Sequence, residues 1–305
     1  MTESTMLAGR MDYATGRFSL HDTARPSPAH GEVLVRVRAA GICLSDVHLI
    51  DGSISPPLRT ADVVTLGHEI AGEVACLGAG DHAFSVGDRV VVSGGRKVDG
   101  NELGFGIDID GGWAEYVVTP ADALTPLPEG ISYEQAAIVP DAVTTPWEAI
   151  TRTARVKPGE AVGVWGIGGL GLHAIQLLRS FGAAPVIAID PSQTARKRAA
   201  DAGADAAIDP GDPQFEELLS ASTLGRGLDV ALDFAGVPDV RRQSLVSLAD
   251  GGRLVLVGIS GQPITIDDEI DLIFRQLSIL GHYGSDSGSV AEVLRLVEIG
   301  RLDLS

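Results

Sequence analysis

A short segment near the N-terminus carries side chains that take part in metal and proton chemistry. Residues 43–48 read Cys-Leu-Ser-Asp-Val-His, and His68 and Glu69 follow further along the chain. Thiolate, imidazole and carboxylate groups are ligands of catalytic zinc, which keeps one coordination position open for water or substrate. The spacing alone is only suggestive, because a lone cysteine in a β-rich domain is more often a small core residue.

A glycine-rich turn later in the chain has the spacing of a dinucleotide site. It reads Gly166-Ile167-Gly168-Gly169-Leu170-Gly171, with an apolar run at 161–165 before it and a helical pattern through 181 after it. The first glycine permits a tight turn, the second lets the backbone approach a pyrophosphate, and the last lets helix and strand pack closely. The helix N-terminus then offers N–H groups to the phosphates. The alternative is a glycine-rich turn in another kind of α/β unit.

The acidic residue after the next apolar run bears on the choice of cofactor. Asp190 ends that run and is placed to accept hydrogen bonds from the ribose hydroxyls of adenosine. Its charge would repel the 2′-phosphate of NADP, so we expect NAD, with NADP less favoured. Arg196 and Lys197 lie close enough in sequence to weaken this argument, although on a helix face such charges are more often simply solvated.

The elements that must position these residues change in type near Tyr133. Before it, short strands with glycine-marked turns predict a compact, partly closed β unit. The strands predicted there are 32–38, 70–77, 86–92 and 114–118. Helices are predicted at 133–138 and 143–156.

After this point strand and helix patterns alternate, which predicts a doubly wound parallel sheet with helices on both faces. The predicted strands are 161–165, 186–189, 206–208, 229–234, 253–257 and 277–280. The predicted helices lie near 169–181, 193–202, 213–221 and 238–248, with a last one at 289–298. His282, just past the last strand, is assigned no more than a surface or packing role.

Length and charge limit the possible functions. The chain has 305 residues, enough for two domains, and its net charge of −18 argues against nucleic acid and anionic membranes as partners. Its two cysteines, Cys43 and Cys76, cannot form a disulfide framework, so we expect a reducing, cytoplasmic compartment. The sequence shows neither a secretory signal nor a membrane span.

Taken together, the motifs resemble the medium-chain dehydrogenase/reductase family, the zinc alcohol dehydrogenases and their relatives. The resemblance covers nearly the whole chain. Its landmarks are GICLSDVH (41–48), LGHEIAGEV (66–74), VGDRVV (86–91), GGWAEYV (111–117), GIGGLG (166–171) and LVLVGI (254–259).

The resemblance implies an α/β protein of two domains with the active site in the cleft between them. A GroES-like, β-rich catalytic domain would occupy residues 1–142, and a Rossmann NAD-binding domain of doubly wound parallel sheet would occupy 143–283. Residues 284–305 would begin the C-terminal return to the catalytic domain. Family members usually run on beyond such a segment, so the chain is expected to be truncated, naturally short or incompletely ordered at its end.

The resemblance also implies a set of metal ligands. Cys43 and His68 match two ligands of one catalytic zinc, and Glu69 matches an adjacent acid that can act as an alternative ligand. Asp141 occupies the place of the third ligand. A carboxylate oxygen can bind zinc, but aspartate is a less usual choice there, and the alternative is that Asp141 caps the helix predicted from Val143.

Further roles follow from the same resemblance. Ser45 and His48 match a proton relay that leads to solvent, and Asp46 matches the carboxylate that orients the zinc-bound histidine. Thr145 matches a residue that touches the nicotinamide end of the cofactor. Gly258-Ile259 match the strand end beside it.

Two features bear on the assembly. Many zinc members carry a lobe with four cysteines that bind a structural zinc, whereas residues 93–112 contain no cysteine, so no structural zinc is expected. A homo-oligomer, a dimer or a tetramer, is expected by analogy, with the last strand at 277–280 as the edge for pairing.

Three hypotheses of function therefore stand. The first is a zinc-dependent oxidoreductase that transfers a hydride between an alcohol or carbonyl substrate and NAD(H), an NAD(P)-dependent alcohol dehydrogenase or carbonyl reductase. The second is a zinc-independent enone or quinone reductase of the same fold. The third is a non-catalytic dinucleotide-binding protein.

Overall fold

A computed structural model describes residues 5–81 and 83–304 of the chain. Contacts within the chain divide it into two units. The first unit joins Met1–Thr144 to Ser285–Ser305, and the second is Thr145–Gly284.

The strands of the first unit pair in an antiparallel manner. They are β1 (Thr5–Asp12), β2 (Arg17–Ala24), β3 (Glu32–Ala40), β4 (Val63–Thr65), β5 (Ile70–Leu77), β6 (Arg89–Val92), β7 (Arg96–Val98), β8 (Asn101–Leu103), β9 (Tyr116–Pro120) and β10 (Leu124–Pro126). One sheet has the order β2-β1-β4, another has the order β10-β6-β5-β3-β9, and β7 pairs with β8. Fully buried side chains such as Val33, Ile70 and Val90 pack together in its core, so apolar burial holds the strands in place.

Helix α1 (Leu44–Asp51) was not predicted from the sequence. Cys43 is its N-cap, and Asp46 is the acidic residue of its first turn. The helix ends at Gly52, whose φ of 79° is the left-handed conformation that glycine adopts without strain. Helix α1 therefore presents residues of the 43–48 segment from one short, capped element.

An irregular helical segment follows β10 and a 3₁₀ turn at Ala121–Ala123. Its parts are α2 (Tyr133–Ala137), a π-helical turn at Val139–Val143, α3 (Thr144–Glu148) and a second π-helical turn at Ala149–Thr153. The sequence predicted one helix over 143–156, whereas the structure has the short helix α3 followed by a π-helical turn that ends at Thr153. Pro140 and Pro146 lack the N–H that an α-helix needs, which interrupts the regular ladder.

The second unit contains a parallel sheet. Its strands are β11 (Val162–Trp165), β12 (Val186–Ile189), β13 (Ala206–Ile208), β14 (Leu228–Asp233), β15 (Leu248–Leu256) and β16 (Ser278–Gly281). The helices are α4 (Gly169–Phe181), α5 (Gln193–Asp201), α6 (Phe215–Ser222), α7 (Pro238–Val246) and α8 (Glu269–Phe274). The strand order β13-β12-β11-β14-β15-β16 is that of the Rossmann fold, which confirms the predicted doubly wound sheet.

The C-terminal segment belongs to the first unit. Asp286 is the N-cap of helix α9 (Ser287–Glu298), and its side chain accepts the N–H of Ser289. Its buried residues include Val290 and Val293, and the helix contacts the π-helical turn Val139–Val143. Ser285 Oγ donates to the Pro140 carbonyl at 2.9 Å. This segment therefore braces the turn that carries Asp141.

Several predicted bounds differ from the structure for local reasons. Strand β6 begins at Arg89 rather than at Val86, because Val86 and Gly87 form a turn in which Gly87 has a φ of 95°. Strand β15 begins at Leu248 rather than at Arg253, because an irregularity in its pairing with β14 separates an early bridge from the main ladder. In the described part of the chain, no helix is both long and apolar enough to cross a bilayer.

Candidate functional site

Three potential ligand side chains come together in the first unit. Cys43 precedes α1, His68 lies in the loop between β4 and β5, and Asp141 lies in the first π-helical turn. One ligand atom from each lies within 4.8 Å of the other two, and His68 Nε2 is 3.3 Å from Asp141 Oδ2. A thiol, an imidazole and a carboxylate at this separation fit a zinc ion that keeps an open position.

Asp46 fixes two of these three residues. It is fully buried, and its Oδ2 accepts the backbone N–H of Cys43 at 2.9 Å, which caps the start of α1. Its Oδ1 faces His68 Nδ1 at 3.2 Å. The carboxylate thus takes one ring nitrogen of His68 and leaves Nε2 to face the cluster, the arrangement that orients metal-binding imidazoles.

The charges of the cluster favour binding of a cation. Burial alone would lower the pKa of His68, but its interactions with Asp141, Asp46 and Cys43 outweigh burial and hold that pKa well above its ordinary value. The imidazole therefore keeps a proton between two carboxylates. A metal ion in this position would replace that proton, so binding would release protons to solvent.

Glu69 is buried beside the cluster but does not belong to it. Its side chain is 2% exposed, and burial, followed by repulsion from Asp141, raises the pKa of Glu69 to about 8. The carboxyl group accepts the N–H of Ala142 and packs against Gly41, where a Cβ would collide with Oε2. These neighbours hold Glu69 in place, and its role as an alternative ligand stays a prediction.

Trp113 supports the loop that carries His68. Gly67 precedes His68 with a φ of 90°, and a Cβ there would collide with the Trp113 ring. The indole Nε1 donates to the Gly41 carbonyl at 2.9 Å. The same ring thus contacts the segments that carry His68 and Cys43. It explains why glycine is needed at position 67, whereas at position 41 the close neighbour is Glu69.

Ser45 and His48 lie three positions apart on α1 and so share a helix face. Ser45 Oγ accepts a weak hydrogen bond from Cys43 Sγ at 3.6 Å. His48 Nδ1 is 3.8 Å from Asp51 Oδ2, and its side chain is 28% exposed. The structure brings Ser45 to the cluster and leaves His48 partly exposed, and their roles in a proton relay stay predictions.

In the second unit, the glycine-rich turn links β11 to α4. Gly166 has a φ of 84°, and a Cβ there would lie 2.8 Å from the Ala235 amide nitrogen. A Cβ at Gly171 would collide with the Gly166 carbonyl. Gly168, the N-cap of α4, has nothing within 4 Å of its Cβ position, and Gly169 and Leu170 begin the helix. The open space at Gly168 beside a helix N-terminus fits a pyrophosphate.

Asp190 follows β12 and is already held by backbone donors. Its Oδ2 accepts the N–H of Ile167 in the glycine-rich turn at 2.8 Å, and its Oδ1 accepts the N–H of Ser192 at 2.8 Å. The carboxylate is therefore fixed next to the turn. This position fits the ribose contact expected of it.

The two basic residues near Asp190 are paired with acids. Arg196 Nη1 donates to the Asp190 carbonyl at 2.6 Å and to Asp209 Oδ2 at 2.9 Å. Lys197 Nζ lies 3.8 Å from Asp201 Oδ2, and its side chain is 81% exposed. Arg196 is thus neutralised by Asp209, and Lys197 points to solvent.

The other predicted cofactor residues also lie in the second unit. Thr145 is 4% exposed, and its carbonyl accepts from His282 Nε2 at 3.0 Å. Gly258 follows β15, and a Cβ there would collide with the backbone of Gly236. Ile259 is 47% exposed. Their contacts with a cofactor stay predictions.

A buried ion pair that the sequence reasoning missed shapes the loops at the carboxyl end of the sheet. Asp233 is fully buried at the end of β14, and its Oδ1 accepts the N–H groups of Ala235 and Gly236 at 2.9 and 2.8 Å. Arg241 Nε lies 3.5 Å from Asp233 Oδ2. Its Nη2 donates to the Gly258 carbonyl at 3.4 Å. An acid that closes a buried parallel strand, the signal used for Asp190, would have found Asp233.

Comparison with known proteins decides the family. The model of the alcohol dehydrogenase GroES-like domain matches residues 29–129, and the model of the zinc-binding dehydrogenase matches residues 169–298. An L-threonine 3-dehydrogenase of Pyrococcus horikoshii is 34% identical over 92% of this chain and 83% of its own length. The chain belongs to the zinc-containing medium-chain dehydrogenase family.

Other members of the family show how widely it varies. A sorbitol dehydrogenase of Halalkalibacterium halodurans is 31% identical over 89% of this chain and 82% of its own length. A zinc-binding dehydrogenase from Sinorhizobium meliloti, solved with NADP, is 29% identical with a TM-score of 0.86 over 98% of this chain and 90% of that chain. Membership confirms the predicted GroES-like and Rossmann architecture and a nicotinamide dinucleotide as the cofactor class.

We predict that the purified chain binds about one zinc ion and that Cys43→Ala and Asp141→Ala each lose it, because either change removes a ligand from a three-ligand site. Metal content by plasma mass spectrometry after dialysis measures this. Cys76→Ala is the control, since Cys76 is the exposed cysteine outside the cluster. Zinc retained in Asp141→Ala would remove Asp141 from the ligand set.

Proposed function

We propose that this dehydrogenase transfers a hydride between an alcohol or carbonyl substrate and NAD(H), with one catalytic zinc and no structural zinc. The observation that carries the proposal is the Cys43, His68 and Asp141 cluster in a chain that also has a dinucleotide turn. We assign the catalytic role to the first unit, including the returning segment at 285–305, and cofactor binding to the second unit.

Each residue of the cluster has its own role in metal binding. Cys43 Sγ, His68 Nε2 and an Asp141 carboxylate oxygen would hold the metal, and Asp46 would keep His68 in the correct orientation. Zinc bound there acts as a Lewis acid that lowers the pKa of a substrate hydroxyl. The glycine-rich turn and Asp190 would hold the dinucleotide so that its nicotinamide can exchange the hydride.

Proton movement is assigned to α1. Ser45 Oγ, which contacts Cys43 Sγ, would accept the proton of the substrate hydroxyl and give up its own proton, by way of a ribose hydroxyl of the cofactor, to His48. His48, which is partly exposed, would pass a proton to solvent. The side chain of His48 is 28% exposed and that of His68 is 12% exposed, which supports this direction of transfer.

The substrate class is inferred from the relatives. L-Threonine and sorbitol, for which two of them are named, each carry a hydroxyl beside a second polar group. We therefore infer a polyol or an amino alcohol for this chain. A zinc-independent reductase of the same fold has no need of the Cys43, His68 and Asp141 set. A non-catalytic dinucleotide-binding protein would use the glycine-rich turn but would have no need of that set either.

Zinc-loaded protein should reduce NAD in the presence of L-threonine, sorbitol or 2,3-butanediol, with 2-butanol a poorer substrate. Cys43→Ala should lower kcat/KM by about 10³-fold, because metal activation is worth several kcal/mol. Absorbance of NADH measures turnover, and Cys76→Ala is the matched control. Full activity in Cys43→Ala would favour the zinc-independent reductase, and no turnover with any alcohol or carbonyl would favour a binding protein.

The preference for NAD over NADP is argued from the charges around Asp190. A 2′-phosphate near this carboxylate would also meet Asp209, which neutralises Arg196. The S. meliloti relative binds NADP, so membership in the family does not decide this point. The two acids of this chain support NAD.

Asp190→Asn should lower the ratio of kcat/KM for NAD to that for NADP by about 10-fold or more, since a charged hydrogen bond contributes about 1.5–3 kcal/mol. Asparagine keeps one acceptor oxygen, for the N–H of Ile167, and loses the one that accepts from Ser192, so the thermal unfolding of the variant is compared with that of the wild type. Asp201→Asn is the control on the exposed end of α5. A wild-type enzyme that prefers NADP would contradict the proposal.

We also propose a homo-oligomer that pairs through β16. This strand lies at the edge of the sheet, and none of the strands in the described residues pairs with its outer side. The preceding helix α8 exposes Ile270, Ile273 and Phe274, at 59%, 64% and 81%. An uncovered edge beside exposed apolar side chains suits two-fold pairing with a second copy.

Phe274→Asp should shift the protein toward monomer, because it places a charge in the apolar part of this surface. Light scattering after size-exclusion chromatography measures the mass. Leu224→Asp, an equally exposed apolar position outside this surface, should leave the mass unchanged. A monomeric wild type would disprove the oligomer.

The compartment is inferred from the thiols. Cys43 must remain a free thiolate to bind zinc, which suits a reducing compartment such as the cytoplasm. Cell fractionation tests this assignment.

A further inference from the structure

His282 makes two side-chain hydrogen bonds that no assigned role explains. Its Nδ1 lies 2.8 Å from Thr153 Oγ1, and its Nε2 lies 3.0 Å from the Thr145 carbonyl. Its own backbone N–H donates to the Leu256 carbonyl at 2.9 Å. His282 therefore connects the ends of β15 and β16 to the helical segment that contains Thr145 and Thr153.

The chemistry of the partners defines the protonation state of His282. A carbonyl oxygen can only accept, so Nε2 carries the proton and donates to Thr145. In the neutral ring Nδ1 then accepts from the Thr153 hydroxyl. Burial lowers the pKa of His282 and outweighs the opposing effects of Glu148 and of the backbone groups of Thr145 and Gly284. The neutral tautomer that fits both bonds is thus the favoured one.

The segment that His282 holds cannot fix itself by regular helical bonds. Helix α3 has five residues, it contains Pro146, and π-helical turns lie on both sides of it. Proline removes a backbone donor, and π-helical turns change the register of the ladder. Bonds from outside the segment therefore add to its own bonds in fixing Thr145, and His282 supplies one to each end of residues 145–153.

We propose that His282 is a positioning residue for the nicotinamide end of the cofactor, acting through Thr145. The inference rests on the proposed function and on the predicted contact of Thr145 with the nicotinamide. The His282 side chain need not touch the cofactor. Its two hydrogen bonds keep Thr145 in the place where that contact forms, anchored to the end of the sheet.

The test compares two ligands by calorimetry. NADH has a nicotinamide, whereas ADP-ribose has the adenosine and pyrophosphate without it. His282→Ala should weaken NADH about 10-fold, since two neutral hydrogen bonds are lost, and should change ADP-ribose less than 2-fold. His282→Gln keeps a donor for the Thr145 carbonyl and should restore part of the affinity.

Variants of Thr153 test the hydrogen bond between its hydroxyl and His282 Nδ1. Thr153→Val removes the hydroxyl and should weaken NADH by about 3-fold with no change for ADP-ribose, whereas Thr153→Ser keeps the hydroxyl and should match the wild type. His21→Ala, on the exposed strand β2, is the control for loss of a histidine. These variants keep the proposal testable if His282→Ala fails to fold.

The outcomes separate the proposal from a structural role. Equal weakening of NADH and ADP-ribose, or no change for either ligand, would overturn it while leaving the proposed dehydrogenase intact. A wild-type protein that binds ADP-ribose but not NADH would instead overturn the proposed function, and this inference with it. Selective weakening of NADH by both His282→Ala and Thr153→Val supports the positioning role.

Discussion

The buried carboxylate of Asp46 is the constraint on which the chemistry of the first unit depends. One oxygen caps the helix at Cys43, and the other faces the ring of His68. A buried carboxylate without such partners would cost several kcal/mol, so the native fold must bring both partners to it. Two potential metal ligands are therefore oriented by the same side chain before any metal binds.

In the second unit, backbone groups shape the proposed dinucleotide site. Close approaches at Gly166 and Gly171 shape the turn, and the N–H of Ile167 holds Asp190 beside it. The acid expected to recognise ribose is thus fixed by the same turn that would receive the pyrophosphate. Asp233 and Arg241 make a similar link between β14 and Gly258. In each case a carboxylate that ends a parallel strand organises the adjacent loop.

Sequence reasoning succeeded where the signal is local. Strands β11, β12 and β14 of the parallel sheet were predicted because each is a short, mostly buried run, and α4 because glycine marks both of its ends. Strand β2 was missed because its side chains are almost all exposed, so it has no apolar face. The π-helical turns were missed because two prolines leave no periodic pattern.

Convergence of His68 and Asp141, which are 73 positions apart, depends on the tertiary fold, and family resemblance rather than spacing suggested it. The dismissal of His282 failed to foresee its two bonds for the same reason.

The brace on Asp141 has a consequence for the order of events during synthesis. Cys43, His68 and Asp141 all emerge from the ribosome before the second unit is made. The turn that carries Asp141, however, packs against α9 and accepts a hydrogen bond from Ser285, both of which are translated after it. The brace on this turn is therefore complete only once α9 has been made, although all three ligand residues are translated well before that helix.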